Sequence, residues 1–290
     1  MKPGAFQYVC PSSVAETVAE LAEHGDDASI LAGGQSLVPL LNMRLARPAV
    51  VLDINRLANL GGLAVSPDGV RLGTLVRAGV LERDAQARAT APALTEAISH
   101  IGHPQIRNRT TVGGNIAHAD PSSELPGVLA CMEGTVELTS SSGVRTVGWS
   151  DFFVTVFTTT REPNELVTGV HFPVAAGWQF HFTEMARRHG DFPIVALTVG
   201  VEWDGDLLAG MRVAVTGVSD RPLRLIGVEQ AAAGQPLDAA LVAELATLAA
   251  AECDPRSDDA GSAEYRRHVL ATLLRRTLTD RIGAATRAVA

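Results

Sequence analysis

Apolar residues recur at helical spacing near the start of the chain. The residues that share this spacing are Val14, Val18 and Leu21. A helix that buries one face produces such spacing, and Ser13 and Glu16 have the spacing of a capping box at its first turn. Strand-like segments surround this helix at residues 6–9, 29–32 and 50–54. The pattern predicts a small unit of strands and helices over residues 1–55.

The next stretch, residues 56–176, alternates short apolar strands with one or two helices. The clearest helix is predicted at residues 92–101, and another follows at residues 123–132. Strands are expected at residues 135–139, 144–147 and 166–172. The segment PVAAG at residues 173–177 joins a proline to small residues, which is typical of a boundary between units.

Beyond this boundary the pattern becomes that of an antiparallel sheet followed by helices. Trp178, Phe180 and Phe182 alternate with polar residues, as in a strand with one buried face. Residues 194–203 and 207–218 are predicted to pair across the turn Asp204-Gly205. Two helices are expected at residues 237–251 and 262–278. We therefore predict an α+β chain whose third unit covers residues 177–290.

Two glycine pairs follow β-prone segments and are candidates for a phosphate site. They lie in LAGGQSL at residues 31–37 and in TVGGNIA at residues 111–117. Glycine permits positive φ and carries no Cβ, so backbone N–H groups can approach an anion closely. Small polar side chains near the pairs add donors, namely Gln35, Ser36, Thr111 and Asn115. The helices expected after Ser36 and Ser122 would direct their positive ends to the same diphosphate, whereas either pair alone is also compatible with an ordinary tight turn.

Composition and charge narrow the class of protein. With 46% hydrophobic and 19% charged residues, the chain of 290 residues is expected to be ordered and globular. A net charge of −8 without a cluster of Lys and Arg argues against nucleic acid or an anionic membrane as the main partner. The start of the chain lacks an apolar signal core, and no apolar run reaches transmembrane length. We expect a soluble cytoplasmic protein without a transmembrane segment.

Metal chemistry within this chain is not indicated. Cys10, Cys131 and Cys253 are too few and too far apart to ligate an iron–sulfur cluster, so any such cluster would lie on another polypeptide. A ligand set can be assembled on paper from His100, His103, His118, Asp120 and Glu124. A glycine pair interrupts that set and no H-E-x-x-H spacing is present. His118 and Asp120 are better interpreted as loop-stabilising hydrogen-bond partners, and no nucleophilic triad has local support.

Two long segments carry a resemblance to a known family. ILAGGQSLVPLLNMRLAR at residues 30–47 and HPQIRNRTTVGGNIAHADPSSELP at residues 103–126 resemble the signature loops of the FAD-binding medium subunits of molybdenum hydroxylases. This group includes the carbon monoxide, xanthine and nicotine dehydrogenases. The resemblance covers nearly the whole chain. It implies a two-subdomain FAD-binding fold of the PCMH (vanillyl-alcohol oxidase-like) type, with subdomains at residues 1–55 and 56–176 and a C-terminal domain that covers the flavin.

The resemblance also implies which residues bind FAD. The two glycine segments would form the diphosphate and ribityl contacts, through Ala32, Gly33, Gly34, Gln35, Ser36, Leu37, Thr111, Val112, Gly113, Gly114 and Asn115. Glu124 would hydrogen-bond ribose or ribityl hydroxyls, although a helix-capping role is equally compatible with its position. Ile101 matches an apolar position beside the adenine half. Phe192, with its neighbour Asp191, matches a position against the isoalloxazine ring. Ile101 and Phe192 are both also compatible with ordinary core packing.

The function implied by the resemblance is electron transfer within a larger oxidoreductase. An iron–sulfur subunit and a molybdopterin-binding large subunit would be its partners, in a dimer of heterotrimers. This chain would carry FAD and no catalytic acid or base. The alternatives are a redox-inactive FAD-binding or nucleotide-binding scaffold and, less favoured, a stand-alone vanillyl-alcohol-type oxidase. The substrate of the complex, whether carbon monoxide, an N-heterocycle or an aldehyde, and the electron acceptor cannot be read from this chain.

Overall fold

A computed structural model describes residues 2–282 of the chain. Its first unit is a three-stranded parallel sheet of order β1-β3-β2 with short helices between the strands. The elements are β1 Gln7–Val9, α1 Val14–His24, β2 Ala28–Leu31, α2 Leu37–Asn42 and β3 Val50–Asp53. Residue 1 and residues 283–290 of the predicted units lie outside the described residues.

Helix α1 shows how closely the predicted capping box is realised. The hydroxyl of Ser13 accepts a hydrogen bond from the backbone N–H of Glu16 at 3.1 Å. The Glu16 carboxylate accepts instead from the N–H and the hydroxyl of Ser12, each at 2.7 Å. The first half of the capping box is therefore present, and the second is displaced by one residue.

The middle unit is a five-stranded antiparallel sheet of order β4-β5-β10-β6-β7. Helices lie between its strands, and a short hairpin precedes its last strand. The elements are β4 Leu63–Ser66, β5 Gly69–Gly73, α3 Ala78–Arg83, α4 Ala85–Thr90, α5 Pro92–His100, α6 Pro104–Arg107, α7 Val112–His118, α8 Glu124–Cys131, β6 Thr135–Ser140, β7 Gly143–Gly148, α9 Trp149–Phe152, β8 Phe153–Thr155, β9 Thr158–Thr159 and β10 Leu166–Pro173. This unit holds more helices than the sequence predicts, which is one or two before the second glycine pair and one after it at residues 123–132.

The third unit is a four-stranded antiparallel sheet whose strands pair in chain order, followed by helices. The elements are β11 Trp178–Met185, β12 Val195–Asp204, β13 Leu207–Thr216, β14 Leu223–Arg224, α10 Ile226–Ala232, α11 Ala239–Glu252 and α12 Ala263–Arg276. A π-helical turn, Thr277–Ile282, extends the last helix. The paired strands and the two long helices were predicted, whereas β14 and α10 were not.

The third sheet is buried on both of its faces. Phe182 and Ala214 on one face belong to the hydrophobic core of the middle unit. Val199 and Val213 on the other face pack into a separate core beneath the terminal helices. The third unit is thus joined to the second through shared apolar packing, which fixes the loop between β11 and β12 relative to the middle unit.

The second glycine pair adopts a different structure from the one predicted. It does not form a loop, because helix α7 begins at Val112 and contains Gly113 and Gly114 in its first turn. Thr111 has extended backbone angles, and its hydroxyl accepts from the N–H of Gly114 at 3.1 Å, which makes it an N-cap. Among the four glycines of the two pairs, only Gly34 has positive φ, at 73°. The argument from positive φ therefore holds for the first pair alone.

No helix within residues 2–282 combines the length and apolar character needed to cross a bilayer.

Candidate functional site

A cavity of about 520 Å³ lies where the three units meet. This volume is within the range of pockets that enclose small molecules and cofactors. The cavity brings together almost all of the predicted cofactor-binding residues, which are Ala32, Gly33, Gly34, Gln35, Ser36, Leu37, Ile101, Thr111, Gly113, Gly114, Asn115, Glu124, Asp191 and Phe192. Val112 is the exception, because its side chain is fully buried in the core of the middle unit.

The first glycine segment supplies free backbone donors to the cavity. Within the described chain, no backbone N–H of residues 33–37 donates to a protein acceptor. The positive φ of Gly34 turns the chain between β2 and α2. Gln35 stabilises this turn, since its side-chain amide donates to the carbonyl oxygen of Gly33 at 3.1 Å. This wall of the cavity therefore has the donors that an anionic group requires.

The second glycine segment differs, because its N–H groups already have partners. The N–H of Gly113 donates to the carbonyl oxygen of Thr74 at 3.1 Å, and that of Asn115 to the carbonyl oxygen of Thr111 at 3.0 Å. Gly113 is needed for packing instead, because a Cβ there would lie 1.8 Å from the hydroxyl oxygen of Thr74. The expectation of two equivalent N–H cradles is corrected accordingly. The second wall presents polar side chains and a closely packed helix start.

The two glycine segments touch each other. A Cβ on Gly33 would lie 2.4 Å from the carbonyl oxygen of Arg109 and 3.0 Å from the backbone N of Thr111. A Cβ on Gly114 would lie 3.6 Å from that of Ala32. The glycines thus permit the walls to approach more closely than two side-chain-bearing segments could.

Glu124 places a carboxyl group in the cavity wall at the first turn of α8. It is 3% exposed, and burial raises its pKa to about 8, with the neighbouring carboxyl groups of Glu184 and Asp120 acting in the same direction. The carboxyl is therefore mostly protonated at pH 7. In that state it both donates and accepts hydrogen bonds, as contact with ligand hydroxyl groups requires.

Beside it, Asn115 and Ser123 are joined by a hydrogen bond. The hydroxyl of Ser123 donates to the Oδ1 atom of Asn115 at 2.9 Å. This bond orients the amide, so the Nδ2 donor of Asn115 is left for other partners.

The loop between β11 and β12 contributes Gly190, Asp191 and Phe192 to the cavity. The side chain of Phe192 is 66% exposed, so the interpretation of this residue as part of a core is wrong. Ile101 is buried in the core of the middle unit and also lines the cavity. A Cβ on Gly190 would lie 2.7 Å from the carbonyl oxygen of Gly102, which shows that the loop packs directly against the chain after α5.

Several lining residues were not predicted, and Arg161 is the most consequential among them. Its guanidinium donates to the carbonyl oxygens of Glu162 at 2.9 Å and Glu165 at 2.8 Å, and burial lowers its pKa. Arg161 lies in the connection between β9 and β10, far in sequence from both glycine segments. No local motif marks it, so only the fold reveals its position. Other unpredicted lining residues include Ile54, Thr74, Thr110, Leu166 and Val167.

His118 and Asp120 also line the cavity. The Oδ1 atom of Asp120 accepts from the N–H of Ser122 at 2.9 Å, which agrees with its predicted role in stabilising the loop. His118 packs on Phe157 with ring centroids 4.9 Å apart, and burial lowers its pKa. Within residues 2–282, no group of three or more His, Cys, Asp or Glu side chains is arranged to hold a metal ion.

Comparison with known proteins shows the family. Residues 4–175 match the family model described as the FAD binding domain in molybdopterin dehydrogenase, and residues 180–280 match the CO dehydrogenase flavoprotein C-terminal domain. The chain therefore belongs to the family of FAD-binding subunits of molybdopterin dehydrogenases. This confirms the family expected from the two signature segments, FAD as its cofactor and the assignment to an oxidoreductase subunit.

Individual relatives match along nearly their whole length. The chain is 38% identical to the 6-hydroxypseudooxynicotine dehydrogenase complex subunit alpha of Paenarthrobacter nicotinovorans, with 98% of this chain and 97% of that protein covered. It is 36% identical to the glyceraldehyde dehydrogenase medium chain of Sulfolobus acidocaldarius, with 94% and 97% covered.

A solved structure confirms the α+β fold. A chain of the carbon monoxide dehydrogenase from Hydrogenophaga pseudoflava, solved in a form lacking the Mo-pyranopterin moiety, is 33% identical to this chain. It superposes with a TM-score of 0.93, with 98% of this chain and 99% of that chain covered.

Proposed function

We propose that this chain is the FAD-binding, electron-transferring subunit of a multi-subunit molybdenum hydroxylase. The observation that carries the proposal is the first cavity wall, where the N–H groups of residues 33–37 lack protein acceptors beside a cavity of cofactor size. A diphosphate needs such donors, since its two negative charges must otherwise be met by cations. Arg161 adds one guanidinium to the same cavity.

The residues present fit FAD, and the proposal assigns parts of the cofactor to them. Residues 33–37 would hold the diphosphate, with the amide of Asn115 opposite. The neutral carboxyl of Glu124 would bond the ribose or ribityl hydroxyls. Ile101 would contact the adenine half. Phe192, whose exposed ring lies at the cavity, would restrain the isoalloxazine, since aromatic rings bury large flat areas against one another. Residues 1–55 and 56–176 would form the two binding subdomains, and residues 177–290 would cover the flavin.

When bound, FAD supplies the redox centre that accepts and releases electrons. The chain's own residues bind and orient it. Electrons would come from iron–sulfur clusters on a partner subunit, after a molybdopterin subunit has oxidised the substrate, and would pass to an external acceptor. The proposal includes a dimer of heterotrimers and a cytoplasmic location. The alternative of a redox-inactive scaffold that binds FAD or a nucleotide would use the same free N–H groups, so the reducibility of the bound flavin distinguishes the two.

Flavin spectroscopy on the full chain tests the proposal. The purified protein, loaded with FAD, is expected to show flavin absorbance that bleaches with dithionite and returns on reoxidation. A chain that binds no FAD would contradict the proposal outright. A chain whose bound flavin is not reducible would support the scaffold instead.

A matched pair of glycine variants then tests the cradle. Gly34 and Gly205 both have positive φ, at 73° and 59°, but Gly205 lies in the β12–β13 turn with open space around it. Alanine at either position brings a similar backbone strain of about 1–2 kcal/mol. We expect Gly34→Ala to weaken FAD binding and Gly205→Ala to leave it unchanged, as measured by fluorescence titration. Equal FAD affinity in the two variants would contradict the assigned cradle.

A further inference from the structure

Arg77 connects the two walls of the cavity although it does not line the cavity itself. Its backbone pairs antiparallel with Thr111, next to the second glycine pair. The flanking hydrogen bonds run from the N–H of Ala78 to the carbonyl oxygen of Thr110 and from the N–H of Val112 to that of Val76, each at 2.9 Å. The second glycine segment is thereby fixed to the strand-like stretch that contains Arg77.

The side chain of Arg77 then reaches both segments. Its Nη1 atom donates to the carbonyl oxygen of Arg109, just before the second glycine pair. Its Nη2 atom donates to the Oδ1 atom of Asn55 at 2.5 Å. A guanidinium offers donors in a rigid planar fork, so the two acceptors are held at a fixed separation.

Asn55 carries the connection on to the first glycine segment. Its Nδ2 atom donates to the carbonyl oxygen of Ala32 at 2.8 Å and to the Oδ1 atom of Asp53 at 2.6 Å. Its backbone N–H also donates to the Asp53 carboxylate, at 2.9 Å. Asp53 is the last residue of β3, the central strand of the first sheet. The Asn55 amide is thus anchored to a sheet and attached to the residue that precedes Gly33.

The carbonyl of Arg109 is the point where these contacts converge. It accepts from Arg77 and also lies against Gly33, where an added Cβ would approach it to 2.4 Å. A shift of the Arg109 carbonyl therefore changes the distance between the two walls. Only glycine fits between the walls at position 33, because it has no Cβ.

We propose that Arg77 and Asn55 are positioning residues that set the spacing of the two glycine segments and hence the affinity for FAD. The inference rests on the proposed function, because it assumes that FAD occupies the cavity. The side chains act through the backbone of Ala32 and Arg109 and need no contact with the cofactor. An alternative role for Arg77, as a positive charge that attracts the diphosphate, makes a different prediction for lysine.

The test compares four variants of the full-length chain with the wild type. They are Arg77→Met, Arg77→Lys, Asn55→Ala and the double variant Asn55→Ala/Arg77→Met. Arg71→Met is the matched control, because Arg71 is an exposed arginine on β5 of the same unit and neither lines the cavity nor contacts Asn55. The measurements are the Kd for FAD by fluorescence titration, the visible circular dichroism of the bound flavin and the Tm of the FAD-free protein.

Positioning predicts that Arg77→Met weakens FAD binding on the order of tenfold, the effect expected when one charge-assisted hydrogen bond is lost. Arg77→Lys is expected to resemble Arg77→Met, because an ammonium group cannot reproduce the fork. The double variant should bind FAD about as weakly as whichever single variant, Asn55→Ala or Arg77→Met, has the lower affinity. This is expected because both substitutions break the same connection between the two glycine segments. The flavin dichroism should change in these variants and stay unchanged in Arg71→Met.

Other results would overturn the inference. Wild-type affinity in Arg77→Lys would show that Arg77 acts by charge, and additive losses in the double variant would show that the two residues act separately. If Arg77→Met is too unstable to measure, Asn55→Ala tests the same connection, because it removes the acceptor of the Arg77 hydrogen bond and deletes a smaller side chain. If the wild type itself binds no FAD, the proposed function fails. If the wild type binds FAD and the variants bind it equally well, only the present inference is rejected.

Discussion

Glu124 is a buried acid whose protonation is coupled to folding. Its pKa is about 8 in the folded chain, mainly because burial disfavours the charged form, against an ordinary value of 4.5 in an unfolded chain. Between these two values the folded state binds more protons than the unfolded state. The contribution of Glu124 to the free energy of unfolding therefore falls as pH rises from about 4.5 to 8 and levels off above that range. Each unit of difference between the folded and unfolded pKa of Glu124 changes the free energy of unfolding by about 1.4 kcal/mol.

Replacing Glu124 with glutamine tests this coupling. Glutamine keeps the size of the side chain and does not titrate, so Glu124→Gln should flatten the decline of unfolding free energy between pH 5 and pH 8. Urea unfolding at several pH values measures it. Glu244→Gln, a change at an exposed site on α11, should leave the decline unchanged. An unaltered pH profile in Glu124→Gln would mean that the carboxyl ionises normally in the folded chain.

At the scale of single residues, the sequence predicts the cavity-lining residues that lie in a recognisable local segment. It misses the lining residues that only the fold brings to the cavity. The glycine pairs and Glu124 lie in recognisable segments, and all but Val112 of the predicted binding residues line the cavity. Arg161 has no such segment around it. Phe192 could be interpreted as core or as a cavity residue from sequence, since an aromatic before proline suits both. Its exposure rules out the core interpretation, because a core residue would be buried.

At the scale of elements, the terminal helix α12 is joined to the sheet of the third unit by Arg266. This buried side chain donates to the carbonyl oxygens of Ile194 at 2.5 Å and Gly217 at 2.8 Å. It also forms two hydrogen bonds with the Asp258 carboxylate, at 2.6 and 2.7 Å. Ile194 lies two residues beyond Phe192 in the chain. Arg266 therefore connects the last helix to the loop that reaches the cavity.

Arg266→Met should destabilise the chain by about 3 kcal/mol, because it leaves backbone carbonyls without their charged donor. The neighbouring change Arg267→Met is the control, since Arg267 pairs with the fully exposed carboxylate of Asp254, and exposed pairs contribute about 1 kcal/mol or less. Urea unfolding of both variants measures the difference. Similar unfolding free energies for the two variants would show that the Arg266 contacts do not hold the helix.

Elements with strong periodicity were predicted well, and the error at the second glycine pair has a physical cause. Strand β10 and helices α5 and α8 lie within a residue or so of the expected bounds. Glycine is unfavourable inside a helix, so a pair of them argues for a loop. Helix α7 nevertheless begins there, because Thr111 caps it and Thr74 leaves no room for a side chain at Gly113. Tertiary packing, which is invisible to local propensity, decides this element.

At the scale of the whole molecule, the cavity brings together residues for cofactor binding, whereas residues 2–282 hold no group of three or more His, Cys, Asp or Glu side chains arranged for a metal. Cys131 is fully buried and burial raises its pKa to about 12, while burial also raises the pKa of Cys253. Both therefore remain protonated thiols, which are poor ligands for iron. Cys10 lies apart in the first unit. In the proposed function, the iron–sulfur clusters that supply electrons would therefore be held by a partner.

This division of labour predicts the behaviour of the isolated subunit. The FAD-loaded chain should exchange electrons slowly with artificial dyes and should show no hydroxylase turnover with carbon monoxide, an N-heterocycle or an aldehyde. Turnover should appear only when the iron–sulfur and molybdopterin subunits of the same complex are added, as measured by substrate-dependent dye reduction. The same mixture without FAD is the control, and it should reduce the acceptor far more slowly. Substrate oxidation by the FAD-loaded chain alone would contradict the proposal, because it would require a second reaction site that the described cavity does not provide.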